Sequence, residues 1–434
     1  MKIPEILLVE SLHKPGSLAK VLAVIGENGL VVEHLNAVRR DQDRSVWEIT
    51  LELDDDTEYN LIEQIDALPN ARVLGKSDRV FNRHAGGKIQ MTSRLPIASL
   101  QELRDIYTPG VARVCMAIKD EPELAWRYTN LGRTVAIVTN GTAILGLGDI
   151  GPLAGLPVME GKAALMAKLG DLSGIPVLID EKDAGRMIDT IAAIAPSFGA
   201  IQLEDVAAPA CFEIEEALRK RLEIPVLHDD QHGTAVVTLA ALLSAARRVG
   251  LDLHDCAVGH IGLGSAGIGI ARLLMAYGAR KVLGTDISED AMQRLESLGG
   301  KRTDLAGLMS KADVVIATTG KRGLIKPEMV REGQLILALS NPDPEIEPVT
   351  ALQRGAAFAA DGKSINNVLG FPGLFRGALD ARAKAFTEDM LFAAAQAISD
   401  AAPEGELVPA PLDRSVHDAV ARAVFKAAGG DAGS

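Results

Sequence analysis

The chain has 434 residues, 47% of them hydrophobic, which is enough for two or three domains that each bury a core of their own. Its net charge of −13, with no cluster of basic residues, argues against nucleic acid or an anionic membrane as the main partner and makes a soluble acidic protein the expectation. Cys115, Cys211 and Cys256 are odd in number and far apart, which removes a disulfide framework and a paired-cysteine zinc site and leaves three expected buried fillers. Residues 1–10 carry no basic start leading into a long apolar stretch, and no run approaches eighteen apolar residues without a charge, so a cytoplasmic location is expected.

In chain order, residues 5–10 read as a strand, Lys14-Pro15-Gly16-Ser17 as a turn and helix start, and residues 18–27 as a helix stopped at Asn28-Gly29. Residues 31–38 and 46–53 read as paired strands, 59–67 as a second helix and 71–74 as a closing strand, giving a βαββαβ order. Residues 79–88, polar and containing Gly86-Gly87, read as a linker. From residue 92 to about 230, apolar strands at 134–138 and 175–179 alternate with helical patterns such as 162–169, the mark of an α/β domain. A long helix at 234–249 opens a second α/β unit. Its short buried strands at 256–261, 281–285, 314–317 and 334–338 are spaced by helices and predict a parallel, doubly wound sheet. The tail from residue 371 reads as helix, broken at Ala402-Pro403 and Val408-Pro409-Ala410-Pro411. The expected domains are 1–85, 86–233, 234–367 and 368–434, the last as helices packing on the second.

Leu203-Glu204-Asp205 is followed 23 residues later by His228-Asp229-Asp230-Gln231-His232-Gly233-Thr234. Two acid clusters at the polar ends of apolar runs repel unless a cation or a proton intervenes, and carboxylates without thiolates favour a hard ion, Mg²⁺ or Mn²⁺. The plainer alternative is that Asp205 and Asp230 cap helices starting at Val206 and Thr234. His228 and His232 stand four apart, as in a zinc helix, but the acids between them have a better use in the first reading.

Gly262-Leu263-Gly264-Ser265-Ala266-Gly267 matches G-x-G-x-x-G between a strand at 257–261 and a helix at 268–277. Asp286 ends the next strand, where an acid meets an adenosine ribose, and the helix start would receive the pyrophosphate. A tight strand-to-helix turn without a ligand is the alternative. Ile287, Ser288, Glu289 and Asp290 supply no cation for a 2′-phosphate, so NAD is expected over NADP.

Tyr107-Thr108-Pro109-Gly110 sets a phenol beside a Pro-Gly turn, where taken alone it would be a packing residue. Lys162, at the start of an apolar helical pattern, would ordinarily be a solvated charge. Taken together, YTPGVA, ILGLGDIGPLAGLPVMEGK, LED, HDDQHGTA, SNPDPEI and INNVLGFPGLFRGALD, in that order from Tyr107 to Asp380, resemble the malic enzyme family in its smaller prokaryotic form. Residues 1–85 resemble an ACT domain, a ferredoxin-like sensor that often binds amino acids at dimer interfaces, through the βαββαβ order and the Pro15-Gly16-Ser17-Leu18 turn.

The resemblance implies a metal-dependent oxidative decarboxylation of (S)-malate to pyruvate and CO₂ with reduction of NAD, NADP being the second choice. It implies Tyr107 and Lys162 as acid and base, and Glu204, Asp205 and Asp230 as metal ligands. Gly262, Gly264, Ser265, Ala266, Gly267 and Asp286 would hold the dinucleotide. Asn341 would lie near nicotinamide and substrate, and Asn367 near substrate. Lys162 would take the C2 hydroxyl proton, for which its amine must first be neutral, and a nearby cation or a desolvated pocket would depress its pKa. Tyr107 would then protonate C3. Asp229 is expected beside Lys162 or a metal-bound water. Larger members of the family grip a malate carboxylate with an arginine just before the LGLG strand, and Ala143 stands there in this chain. The expected partners are malate, a small effector at the first domain and a second copy of the chain, as a homodimer or higher homo-oligomer. The alternatives are a malolactic or oxaloacetate decarboxylase without net redox, another two-domain NAD-dependent dehydrogenase with a regulatory domain, and an amino-acid-sensing protein with a decayed enzyme portion.

Overall fold

In the computed structural model, which describes residues 3–41, 43–53, 60–77, 79–144, 146–340, 343–363 and 365–430, the chain divides into two compact units, 1–90 and 91–434. The first carries β1 (Ile3–Leu12), β2 (Val32–Arg40), β3 (Arg44–Leu53) and β4 (Ala71–Lys76) in one antiparallel sheet of order β2-β3-β1-β4. Strand alternation places Leu7 and Val9 beside Ile49 and Leu51 in its core. Val21 and Ile25 from the helix Ser17–Glu27, with Leu61 and Ile65 from the helix Leu61–Asp66, complete that core. Gly16 precedes the first helix with φ of 80°, a conformation that a side chain would disfavour. The segment read as a linker contains a one-and-a-half-turn helix, Arg79–His84, and Tyr59 of the expected second helix lies outside the described residues.

The second unit holds two parallel sheets. β5 (Thr134–Thr139), β6 (Ser173–Leu178), β7 (Ala200–Leu203) and β8 (Val226–His228) lie in the order β6-β5-β7-β8. β9 (Ala257–Ile261), β10 (Lys281–Thr285), β11 (Lys301–Arg302), β12 (Val314–Ala317), β13 (Leu335–Ala338) and β14 (Phe358–Asp361) lie in the order β11-β10-β9-β12-β13-β14. This is the Rossmann-like doubly wound arrangement, and β7, β12 and β13 are buried throughout, as strands covered by helices on both faces must be. In both sheets the strand order reverses beside the first strand, at β5 and at β9, and the crevice beyond the carboxyl ends at such a reversal is where ligands bind.

One helix departs from expectation. The pattern at 162–169 belongs to a helix that starts ten residues earlier, Pro152–Gly170, so Lys162 lies in its middle rather than at its start. Pro152 occupies the first turn, where no N–H is needed, but Pro157 and three glycines disguise the helix in sequence. Met159, Lys162, Ala163 and Met166 share its buried face, which is why a lysine reaches the interior. The helix Thr234–Val249, by contrast, is buried all round from Ala235 to Leu242. The tail helices Phe371–Asp380, Glu388–Asp400 and Arg414–Ala427 pack on these two.

Cys211 and Cys256 are buried, as expected of fillers, but Cys115 is exposed. It lies on Val111–Asp120, which with Leu100–Ile106 and Leu124–Tyr128 forms a run of short helices that bury no side chain in the single chain. Among the described residues no helix is long and apolar enough to cross a membrane. A fragment of residues 1–90 should unfold cooperatively on its own, and Ile49→Ala should lower its stability by about 2–5 kcal/mol in urea titrations followed by circular dichroism. A fragment with no cooperative transition would contradict its independence.

Candidate active site

β7 and β8 are hydrogen-bonded neighbours, and each hands two acids off its carboxyl end: Glu204 and Asp205 from one, Asp229 and Asp230 from the other. The capping alternative fails at both. Asp205 has φ of 53°, in the left-handed region, and the next helix begins only at Ala210. Asp230 sits in a single π-helical turn, Asp229–Gly233, and no side chain caps the helix that follows. Carboxylate oxygens of Glu204, Asp205 and Asp230 instead lie within 4.8 Å of one another.

Lys162 faces this group. Its Nζ is 3.0 Å from Glu204 Oε1 and pairs still more closely with Asp229 Oδ2. Asn367 Nδ2 donates to the same Asp229 oxygen at 2.8 Å, Gln202 Nε2 donates to Glu204 Oε2 at 2.6 Å, and the Asp205 N–H donates to Asp230 Oδ2 at 3.0 Å. The Phe371 ring lies 4.6 Å from the ammonium. The structure thus gathers Lys162, Glu204, Asp205, Asp229, Asp230 and Asn367. It does not bring Tyr107 to them: this side chain is 68% exposed at the end of Leu100–Ile106 and makes no hydrogen bond among the described residues. Asn341 lies outside the described residues.

The carboxylates oppose the burial expected to depress the Lys162 pKa. Burial alone would depress the Lys162 pKa, but Asp229 and then Glu204 push it the other way, and the net result lies above an ordinary lysine. Lys162 is therefore held protonated, not neutral, in this arrangement. Burial raises the Glu204 pKa well above the carboxylate range; Lys162 offsets part of that, while Asp230, Asp229 and Asp205 add to it. Asp205 is pushed up to about 7 by burial and by Asp230. Four carboxylates face one ammonium, and Asp205 Oδ2 and Asp229 Oδ1 are buried without hydrogen-bond partners. An orphaned acceptor costs about 1–3 kcal/mol, so Asp205 Oδ2 fits a hard divalent ion, which Glu204, Asp205 and Asp230 would hold, whereas Asp229 Oδ1 lies against Gly233. Gly233 is needed here because a Cβ would stand 1.9 Å from Asp229 Oδ1.

The glycine turn after β9 shows its own division of labour. A Cβ on Gly262 would meet Thr318 O at 2.8 Å and one on Gly267 would meet Gly262 O at 2.0 Å, while Gly264 faces open space. That space is a cavity of 590 Å³ lined by Gly264, Asp286, Ser288, Asp290 and Arg294, among others. Ser265 and Ala266 open the helix Ser265–Tyr277, three residues earlier than expected, and no side chain caps it, so its N–H groups suit a pyrophosphate. Asp286 accepts the Leu263 N–H at 2.6 Å and the Ser288 N–H at 2.8 Å, tying the turn to the end of β10. The four residues after Asp286 supply no cation, as expected, but Arg294 reaches the cavity from the second turn of the helix Glu289–Ser297 and lies 4.3 Å over the Phe212 ring.

Sequence reasoning also missed Glu215, which accepts hydrogen bonds from the backbone of His228 and the side chains of Gln231 and His232. A signal existed: Glu215 falls between Cys211, Ile214 and Leu218 on the apolar face of Ala210–Arg221, where a charge needs partners. Its carboxyl pKa, despite burial, is held down to about 2 by His232 and His228.

Residues 87–186 match the family described as malic enzyme, N-terminal domain, and residues 229–329 match D-isomer specific 2-hydroxyacid dehydrogenase, NAD binding domain. NAD-dependent malic enzyme 1 of Bacillus subtilis (strain 168) is 53% identical over 425 residues, 97% of each chain. NAD-dependent malic enzyme of Geobacillus stearothermophilus is 40% identical, over 95% of this chain and 91% of its own. Among solved structures, malic enzyme from Pyrococcus horikoshii Ot3 is 40% identical with a TM-score of 0.75, covering 79% of this chain and 87% of that one. NAD-dependent malic enzyme from Thermotoga maritima is 36% identical with a TM-score of 0.75, covering 80% and 99%.

The acid cluster makes metal binding pH-dependent. A carboxyl with a pKa of about 7 keeps its proton below that pH, and an arriving ion must displace it. Mn²⁺ affinity should therefore rise about fivefold or more from pH 6 to 7 through Asp205 and keep rising above it, with proton release visible by calorimetry in buffers of different ionisation enthalpy. A Kd independent of pH over that range would contradict the cluster's electrostatics.

Proposed function

The chain belongs to the malic enzyme family, and from that premise we propose which of its residues carry each part of the reaction. The protein catalyses the metal-dependent oxidative decarboxylation of (S)-malate to pyruvate and CO₂, reducing NAD in preference to NADP. The observation that carries the assignment of residues is the meeting of three metal-suited carboxylates with the Lys162–Asp229 pair at the ends of β7 and β8. When bound, the divalent ion draws electron density from the malate oxygens and the nicotinamide accepts the hydride.

Glu204, Asp205 and Asp230 hold the ion. Lys162 is the base toward the C2 hydroxyl. Because its ammonium is favoured as it stands, it must first pass a proton on, and Asp229 Oδ2, in contact with Nζ, is placed to receive it. Asn367, bonded to the same oxygen, keeps that carboxylate in line, and its INNVLGF motif assigns it to the substrate as well. Phe371 beneath the ammonium excludes water from the pair. Tyr107, which the single chain leaves exposed, is assigned the proton to C3 on its YTPGVA motif, and Asn341 is assigned to substrate and nicotinamide binding on its SNPDPEI motif. Backbone N–H groups of Gly264, Ser265 and Ala266 take the pyrophosphate, Gly262 and Gly267 permit the close turn, and Asp286 meets the adenosine ribose.

Residues 1–85 form an ACT-like regulatory domain for an amino acid or another small effector, a reading supported by the sheet order β2-β3-β1-β4 and the left-handed Gly16. Residues 86–233 form the substrate and metal domain, 234–367 the dinucleotide domain and 368–434 a helical tail that packs on a helix of each. A homodimer is supported by Leu100, Leu103, Tyr107 and Met116, exposed on helices that bury nothing in the single chain. A cytoplasmic location is supported by three unpaired cysteines.

With malate, Mn²⁺ and NAD, the purified protein should form NADH and pyruvate steadily, with a higher kcat/KM for NAD than for NADP. Lys162→Ala should abolish malate oxidation, while Tyr107→Phe should spare hydride transfer more than pyruvate formation. Tyr107→Phe behaving like a distant surface change, in pyruvate release and enol tautomerisation alike, would remove its acid role.

A further inference from the structure

Glu215 is 5% exposed, on the face of Ala210–Arg221 that also buries Cys211, Ile214 and Leu218. A carboxylate in that position needs donors, and it draws them all from one short stretch. They are the His228 N–H at 3.0 Å, Gln231 Nε2 at 3.3 Å and His232 Nε2 at 3.0 Å. These residues bracket Asp229 and Asp230, whose own carboxylates bind Lys162, Asn367 and the Asp205 N–H. The bracketed segment is wound as a π turn, a rare geometry that recurs at functional sites and needs outside support to persist. The other flank is equally tight: a Cβ on Gly269, in the helix Ser265–Tyr277, would come within 2.5 Å of Gln231 O.

We infer that Glu215 is a positioning residue for the metal site, its carboxylate fixing the π turn so that Asp229 is aimed at Lys162 while Asp230 is aimed at the ion. Relaxation of the turn toward ordinary α winding would rotate both acids away from these partners. The inference rests on the reading of Glu204, Asp205 and Asp230 as the ligand set. Groups that orient metal ligands from behind typically change affinity 10- to 100-fold when removed.

The test uses the full chain and Mn²⁺ alone, titrated by calorimetry without malate or nucleotide. Glu215→Ala should raise the Mn²⁺ Kd about tenfold or more, and Glu215→Gln, which keeps one acceptor oxygen, should fall between it and the unsubstituted protein. NADH affinity, read by fluorescence, should stay within about twofold in both, and kcat at saturating Mn²⁺ should remain reduced because Asp229 is displaced as well. A folded Glu215→Ala, or Glu215→Gln where the alanine variant does not fold, with an unchanged Mn²⁺ Kd would overturn the inference. So would an equal loss of NADH affinity, which marks a general structural role. Asp230→Asn serves as the control: unchanged Mn²⁺ binding there would overturn the ligand set itself, whereas weakened binding there with normal binding in the Glu215 variants would overturn only the role of Glu215.

Discussion

Repulsion among four carboxylates around one buried lysine is the constraint on which the second unit depends. Like charges about 4 Å apart repel by ~4 kcal/mol in a partly screened protein interior, several times the ~1 kcal/mol that one hydrogen bond returns. Glu204, Asp205, Asp229 and Asp230 are nevertheless held together, because β7 and β8 are adjacent and end at the same level. Lys162 neutralises part of the surplus, Gln202 and Asn367 supply further donors, and a divalent ion would supply the rest. In the proposed reaction binding and chemistry share the same groups: the ammonium that steadies Glu204 and Asp229 would be the one to give up its proton.

The scaffold explains why the groups meet. Parallel strands leave their carboxyl ends free, so the glycine turn opens at the β9 reversal, while the acid cluster sits at the ends of β7 and β8, on one side of the β5 reversal. The helix Ser265–Tyr277 joins the two, since it opens at the cofactor turn and packs Gly269 on the backbone of Gln231. The Pro152–Gly170 helix brings Lys162 in from the other side, and its Phe371 neighbour comes from the tail.

Much of this was legible in the sequence because the chemistry sits at the ends of regular elements. Glu204, Asp205 and Asp230 follow apolar runs that can only be buried strands, and Gly262 to Gly267 follow another, so their meeting at strand ends was foreseeable. Lys162 was harder: Pro157 and the glycines around it masked a helix whose packing overrides local propensity. Its charge state was not legible at all, because burial and the neighbouring carboxylates push in opposite directions and only the distances decide which prevails. Arg294 and Glu215 reach their sites across helical turns from elements that carry no motif, and the hydrogen bonds that give Glu215 its place span 13 to 17 residues. Tyr107 shows the reverse case, a motif residue that folding of the single chain leaves at the surface.

Lys162 and a divalent ion held by Glu204, Asp205 and Asp230 would answer the same surplus of charge and would therefore compete for Glu204, which lies 3.0 Å from the ammonium. The most direct measurement is the Mn²⁺ dissociation constant of Lys162→Met, compared with the unsubstituted protein by calorimetry in the absence of malate. Removing the ammonium while keeping an unbranched side chain of similar length should tighten Mn²⁺ binding, even though turnover is lost. Weaker binding in a folded Lys162→Met protein would contradict the account, because it would mean that the lysine helps to build the metal site rather than sharing its charge.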